Sequence, residues 1–248
     1  MARLNLLGVG VDNLTEGEAL AHLDALIKTG RAHHVVTVNP EFLVLAQDNP
    51  WFKAVLDGAH LALADGVGLV WASYLMGCPL RARLPGVDVV RRLARLASQK
   101  GYRLFLLGAA QGVAESTAQV LAREYPGLII AGTWAGSPAA EEEADIVQRI
   151  QEAKPQVLFV AYGAPQQDLW IRRNLPHLPG VLAMGVGGSF DYISGMVPRA
   201  PAWMRRWGLE WLYRLMKEPW RWRRMLRLPR FAWLVTVQAL KQRLGRRP

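Results

Sequence analysis

The chain has 248 residues, 51% of them hydrophobic, with 30 basic against 20 acidic residues and a formal net charge of +10. This is enough apolar material for one large α/β domain or a domain with an appendage, and no apolar run approaches the roughly 18 residues that a membrane-spanning helix needs. A single cysteine, Cys78, excludes an intramolecular disulfide, and Asp12 and Glu16 arrive too early for a cleaved leader to be expected.

Taken in chain order, Thr15 and Glu18 have the spacing of a helix capping box. Residues 33–38, HHVVTV, read as a buried strand. Residues 40–59 read as two helices with a turn at Asn49-Pro50. A second strand covers 60–65 and ends in Asp65-Gly66. A third covers 102–108, followed by a short turn and a helical pattern over 113–125. A fourth strand spans 127–134, and the acid-headed helix predicted over 141–153 suits the positive end of its own dipole. Strands five and six cover 156–163 and 180–188. This alternation predicts an α/β fold, a mostly parallel sheet with helices on both faces.

The composition changes at Pro198-Arg199-Ala200-Pro201, so residues 1–198 are expected to form the α/β domain and 199–248 an appendage. The first part holds 16 basic and 18 acidic residues. The second holds 14 basic residues against Glu210 and Glu218, and six of the ten tryptophans. Trp203, Trp207, Trp211 and Leu215 recur at helical spacing. Arg214, Arg221 and Arg224 suit a second stripe, and Pro219 and Pro229 are expected to divide the tail into short helices. Indoles at an interface with arginines reaching anionic headgroups describe a helix lying on a membrane surface. A protein interface ranks second. Nucleic acid, on whose bases tryptophan could stack, ranks last and is not expected as a partner.

Ligands of parallel sheets gather outside the carboxyl ends of the strands, and polar and glycine-rich residues follow each predicted strand. Asp65 is placed for a partly desolvated general base, or else for a turn-forming Asp-Gly. Gly108-x-x-x-Gly112 ahead of a helix suits a phosphate or an ordinary tight turn. Gly185-x-Gly187-Gly188 brings backbone close to a ligand or to a neighbouring helix. Asp191 could accept from a ribose or base, or cap a helix. Thr37, Asn39 and Gln167 suit sugar hydroxyls or loop capping. The five histidines show no metal-ligand spacing, and no GxSxG elbow or GxGxxG fingerprint with a following acid occurs. A serine hydrolase and a dinucleotide oxidoreductase are thereby excluded.

The ordered set Thr37-x-Asn39-Pro40-Glu41, Ala64-Asp65-Gly66-x-Gly68, Leu107-Gly108, Gly163-x-Pro165-x-Gln167-Asp168-x-Trp170, Gly185-Val186-Gly187-Gly188-x-Phe190-Asp191-x-x-x-Gly195, Arg199-Ala200-Pro201 and Gly208-Leu209-Glu210-Trp211-x-x-Arg214-Leu215 resembles the WecG/TagA/CpsF glycosyltransferase family from about residue 5 to 228. The resemblance implies a Rossmann-like α/β domain with a C-terminal membrane-docking appendage. It implies an enzyme peripheral on the inner face of the cell membrane. N-acetylmannosamine would pass from UDP-ManNAc to undecaprenyl-diphosphate-linked GlcNAc, giving a β-1,4 linkage on the path to wall teichoic acid or, with other UDP-sugars, other surface polymers. It implies Asp65 as the base, Thr37, Asn39 and Gln167 as sugar- or acceptor-orienting groups, and Arg83 as a diphosphate partner. Gly108, Gly185, Gly187 and Asp191 would serve the nucleotide side, and Arg214, Arg221 and Arg224 would complete the site from the tail. No DxD stretch is present, so no metal or cofactor is expected. Asp168 stands where the family usually has Glu, Gly136-Ser137 where it has Gly and an aromatic, and Gly108-Ala109 where it has Gly-Gly. Residues 229–248 read as an apolar-basic helix, either further membrane contact or the surface of a homo-oligomer.

Overall fold

Six strands lie in one sheet in the order β4-β3-β8-β7-β5-β6, and every neighbouring pair is parallel. They are β3 (His33–Val38), β4 (Leu61–Ala64), β5 (Arg103–Gly108), β6 (Ile129–Trp134), β7 (Val157–Ala161) and β8 (Leu182–Gly185). The computed structural model describes residues 3–219 and 222–244. All six predicted strands are present, β8 ending three residues before its expected limit. The expected alternation follows from burial on both faces. Val35 points into one core layer, with Leu61 and Met184, while its neighbour Val36 points into the other, with Ala62. A strand covered on both sides has no polar positions to alternate with apolar ones, which is why these segments read as continuous apolar runs.

One face is covered by α1 (Glu16–Lys28), α5 (Gly86–Lys100), α6 (Val113–Glu124) and α9 (Ser189–Ser194). The other face is covered by α2 (Pro40–Asp48), α3 (Pro50–Asp57), α4 (Val67–Leu75), α7 (Glu143–Ala153) and α8 (Gln166–Asn174). The capping box at α1 forms as expected: Thr15 Oγ1 accepts from Glu18 N–H, and Thr15 N–H donates to Glu18 Oε2 at 2.8 Å. The expected pair of helices over 40–59 forms because Asn39 and Asn49 each cap a helix whose first residue is proline.

A hairpin not anticipated from the sequence precedes the sheet: β1 (Arg3–Leu6) and β2 (Val9–Asp12), antiparallel. Its turn places Leu7 at φ +52° and Gly8 at φ +81°, the left-handed pair that a two-residue hairpin turn demands. The hairpin packs along the β4 edge and is tied to it through a side chain: the buried Asp12 accepts at Oδ2 from Ala62 N–H at 2.7 Å.

The tail forms α10 (Ala202–Arg206), α11 (Glu210–Lys217), α12 (Trp222–Met225) and α13 (Arg227–Leu244). Two expectations are corrected. Pro229 does not divide it, because a proline in a helix's first turn removes an N–H that has no intrahelical acceptor, and α13 runs 18 residues through it. The Trp203-Trp207-Trp211 series is not one stripe. Gly208, at φ +71°, separates α10 from α11, and a Cβ there would lie 2.6 Å from Val67 Cβ. The close approach to α4 breaks the helix. The apolar-basic helix expected at the end also turns one face inward. Phe231 and Val235 of α13 are buried in the layer formed by α2, α4 and the hairpin, and Gln238 accepts from Leu7 N–H at 2.9 Å. Among the described residues no helix is long and apolar enough to cross a membrane.

Candidate active site

Because all six strands run the same way, their carboxyl ends open on one edge. Thr37 is the penultimate residue of β3 and Asn39 follows its end. Asp65 follows β4, Gly187 follows β8, and Gln167 sits in the first turn of α8 after β7. Together with Asp191, in the first turn of α9, they line a cavity of about 420 Å³. Positions far apart in sequence are thus brought to one place by the topology alone.

Asp65 is the chemical centre. Its backbone N–H donates to Val38 O at 2.7 Å, continuing the β3–β4 ladder by one residue. Its carboxylate accepts from Gly86 N–H, at the start of α5, at 3.3 Å. Burial pushes its pKa up from 3.8 to about 6. The Gly86 hydrogen bond and the Arg83 cation pull against that rise, and the Glu210 and Asp88 carboxylates add to it. A carboxylate in this range is ionised at neutral pH yet basic enough to take a proton.

The three polar neighbours divide their bonds between protein and cavity. Thr37 Oγ1 donates to Gly185 O at 3.2 Å, which leaves its oxygen able to accept. Asn39 Oδ1 accepts from Phe42 N–H as a helix cap, so the capping alternative holds for that atom. Among the described residues nothing engages its Nδ2. Gln167 is buried and committed at both ends: Oε1 accepts from Gly187 N–H at 2.8 Å, and Nε2 donates to Asp168 Oδ2 at 3.3 Å. Asp168 in turn meets His34 Nε2 at 3.2 Å, between α8 and β3. Gln167 therefore shapes the glycine loop, and Gly185 is a glycine because a Cβ there would lie 2.5 Å from Gln167 Nε2. Gly108 answers to the same kind of packing: at φ +98°, a Cβ would lie 2.9 Å from the Ala161 carbonyl carbon. Its neighbours Ala109 and Ala110 line the cavity instead.

The tail supplies the remaining wall, with Glu210, Trp211, Arg214 and Arg224. Arg214 donates from Nε to Glu218 Oε2 at 2.6 Å, has Nη2 3.7 Å from Asp191 Oδ2, and lies over the Tyr192 ring. Gly188 makes room for it, since a Cβ there would meet Arg214 Nη2 at 2.5 Å. Arg224 makes a two-pronged pair with Glu41, 2.9 and 2.7 Å, and Arg227 joins the same carboxylate. Arg83 donates to Glu210 Oε2 at 2.9 Å and to Arg205 O at 3.4 Å. Arg221 lies outside the described residues. So Arg214 and Arg224 reach the edge of the cavity, while Arg83 faces a second cavity.

That second cavity, of about 970 Å³, shares Asn39, Asp65 and Glu210 with the first and extends between α4 and the tail. Glu41 and Glu210 carry roles that sequence reading does not give them. Each is a single carboxylate holding two arginines, Glu41 with Arg224 and Arg227, Glu210 with Arg83 and Arg199. Their partners lie far along the chain or across a chain reversal, so no local spacing announces them.

A half-buried carboxylate at a parallel strand end, a glycine loop beside it and arginines opposite are the equipment of an enzyme that moves a group off a phosphorylated donor. The sequence profile of the glycosyl transferase WecG/TagA/CpsF family matches residues 4–245, and the chain belongs to that family. It is 38% identical over 230 residues to the N-acetylglucosaminyldiphosphoundecaprenol N-acetyl-beta-D-mannosaminyltransferase of Bacillus spizizenii, covering 92% of this chain and 88% of the relative. The protein of the same name from Bacillus subtilis is 41% identical over 200 residues, 80% of this chain and 77% of the relative. That of Staphylococcus aureus strain MW2 is 31% identical over 229 residues, with 92% and 88% covered.

Proposed function

We propose that this glycosyltransferase moves N-acetylmannosamine to GlcNAc-diphosphoundecaprenol, the group and acceptor that the names of its relatives give for them, and that the donor is UDP-ManNAc and the transfer inverting. The observation that carries the reading is Asp65 at the junction of two unlike cavities. The smaller, lined by hydroxyl and amide side chains such as Thr37, Asn39 and Gln167 and by the paired charges of Arg214 and Arg224, takes the nucleotide sugar. The larger, between α4 and the tail, takes the lipid-linked acceptor. Asp65 then lies between the two reactants.

In this mechanism Asp65 takes the proton from the acceptor's C4 hydroxyl. The freed oxygen attacks the anomeric carbon from the face opposite UDP and forms the new glycosidic bond. The bond from that carbon to the diphosphate oxygen breaks, and UDP leaves with the electron pair. Arg214 and Arg224 stand nearest to neutralise the departing diphosphate once they exchange their carboxylate partners for it. In this reading the arginine cations stand where a metal ion would otherwise offset the leaving charge, and no metal or cofactor is invoked. Thr37 and Asn39 orient hydroxyl groups beside the base, and Gln167 holds the loop on which the donor rests. In this reading residues 1–198 carry the base and most of the donor cavity, and the Trp/Arg-rich tail from residue 199 closes that cavity with Arg214 and Arg224 and meets the cytoplasmic membrane surface where the acceptor resides.

The test is UDP release from a panel of UDP-sugars with a GlcNAc-diphosphate-lipid acceptor. UDP-ManNAc should support turnover that persists in EDTA and is lost in Asp65→Asn. Turnover with another donor alone would move the enzyme to a different surface polymer. No turnover with any donor from a folded protein would reject the reading.

A further inference from the structure

We propose that the 970 Å³ cavity is a groove for the first isoprene units of the acceptor's lipid chain, walled on the body side by Trp71 and Tyr74 of α4; this rests on the acceptor assigned above. Three observations carry it.

The first is the orientation of α4. Leu69, Ala72 and Ser73 turn inward and are buried. Trp71, Tyr74 and Leu75, spaced i, i+3 and i+4, share the opposite side and line the cavity. Trp71 is 73% exposed and Tyr74 65%, and Trp207 across the opening is 76% exposed. Large rings left in solvent around one cavity mark a surface that meets something apolar. None of the tail's basic composition explains Trp71 or Tyr74, which belong to the near-neutral body.

The second is length. Arg224 and Met225, just before α13, line both cavities and so fix the near end of that helix at the junction with Asp65. Leu228 and Arg243 of α13 both line the larger cavity. They are fifteen residues apart, about 22 Å at the rise of an α-helix. One sugar does not need such a run, and an extended hydrocarbon chain does.

The third is the order of chemistry along it. Arg83, whose charge acts on Asp65, and Arg224, each paired with a carboxylate of the same wall (Glu210 and Glu41), line the end shared with the first cavity. Along α13 the lining then turns apolar at Leu228, Phe231, Ala232 and Val235 before Arg243. An acceptor with a sugar, then a diphosphate, then a polyisoprenyl chain presents its groups in the same order, with anionic and apolar parts facing complementary walls.

The experiment uses the full chain and a Trp71→Ser/Tyr74→Ser variant, with Trp71→Phe/Tyr74→Phe as the conservative control. Both positions are largely exposed, so folding is expected to survive, checked by circular dichroism. Farnesyl diphosphate is the binding probe, with inorganic diphosphate as its apolar-free counterpart. The serine variant should bind farnesyl diphosphate about tenfold more weakly, the scale of losing one well-buried apolar group, and the phenylalanine variant should recover most of that. In turnover, the preference in kcat/KM for a polyprenyl-linked acceptor over a hexyl-linked one should fall about tenfold. Unaltered farnesyl diphosphate binding, or an equal loss for inorganic diphosphate, overturns the groove. So does a loss confined to binding of plain phosphatidylglycerol vesicles, which would make α4 a bilayer contact, or loss of a concentration-dependent dimer in light scattering, which would make it a subunit interface. The binding arm reads the groove even with no turnover at all, whereas absence of turnover in the parent chain rejects the assigned reaction instead.

Discussion

The two walls that face Asp65 are built in opposite ways. On the body side, each contact joins a side chain to backbone, buried or partly buried: Thr37 to Gly185, Gln167 to Gly187, Asp65 to Gly86. On the tail side, contacts are between long charged side chains: Arg83 with Glu210, Arg224 and Arg227 with Glu41, Arg214 with Glu218. The first kind costs its full desolvation if one partner is lost. The second kind is worth about 0–1 kcal/mol per pair in exposed settings and is screened by salt. A donor pocket has to be in place before the substrate arrives. A wall that takes up an anionic, lipid-linked substrate has to exchange its own partners for that substrate, and arginine–carboxylate pairs can do so.

The largest effect expected is at the point where the walls meet. Asp65→Asn should reduce kcat by about 10²–10⁴, the usual contribution of a general base. Its effect on stability should have the opposite sign. Burial raises the folded pKa from 3.8 to about 6, so across that window the folded protein keeps a proton that the unfolded chain has lost. Stability therefore falls as pH rises through it. The variant has no charge to bury, and its Tm at pH 7.5 should be at or above that of the parent. An inactive variant with a lowered Tm would mean that Asp65 holds the fold and that its loss says nothing about proton transfer.

Next comes a probe of the body wall that spares the fold. In Gly188→Ala the new Cβ falls 2.5 Å from the tip of Arg214. A guanidinium on a flexible stem moves aside more readily than backbone does. The fold should stand while Arg214 leaves the cavity. Loss of one charge-assisted hydrogen bond to the diphosphate corresponds to about 10–100-fold, read as a lowered kcat/KM for the UDP-sugar. A Tm lowered with kcat/KM unaltered would place Arg214 outside the reaction.

The same contrast separates what the amino-acid sequence makes legible from what it hides. Strands, their parallel arrangement and the Asp65 strand end follow from local pattern, because a strand buried on both faces is written in consecutive apolar residues such as Val35 and Val36. The β1–β2 hairpin is not legible, because its turn puts Leu7, neither Asn nor Gly, at positive φ. Gln167 reads as a hydrogen-bonding group, correctly in kind, but its burial against Gly185 depends on where α8 lands on β8. The pairing of Glu41 with Arg224 spans 183 residues and leaves no mark on either neighbourhood. The inward face of α13 is hidden too, since Phe231 and Val235 sit among the same tryptophans and arginines that mark a surface helix.

A smaller effect is expected on the tail wall. Glu41→Gln releases Arg224 and Arg227 together, yet α13 is also held by Phe231 and Val235 in the core. Amide exchange should therefore quicken over residues 222–228 and stay slow over 231–239, with a few-fold loss of turnover. Salt at about 1 M should produce a weaker version of the same pattern in the parent chain. Quickened exchange through the whole of α13 would show the tail to be held by charge alone.

The smallest effect joins the two walls. Glu210 sits on the tail and raises the pKa of Asp65, while its partner Arg83 lowers it; Asp88 and the Gly86 N–H are the other groups facing that carboxylate. Glu210→Gln removes a negative charge and at the same time frees the Arg83 cation from its pairing. Both changes favour ionised Asp65. The acid limb of kcat/KM, expected near pH 6 in the parent, should move to lower pH, by an amount that shrinks as salt is added. Glu210→Asp keeps the charge and shortens its reach, so it should loosen the Arg83 contact and leave the limb close to its parent position. An acid limb that stays at about pH 6 in the Gln variant would mean that the tail closes over the base without altering its charge, and that the two walls are coupled by shape only.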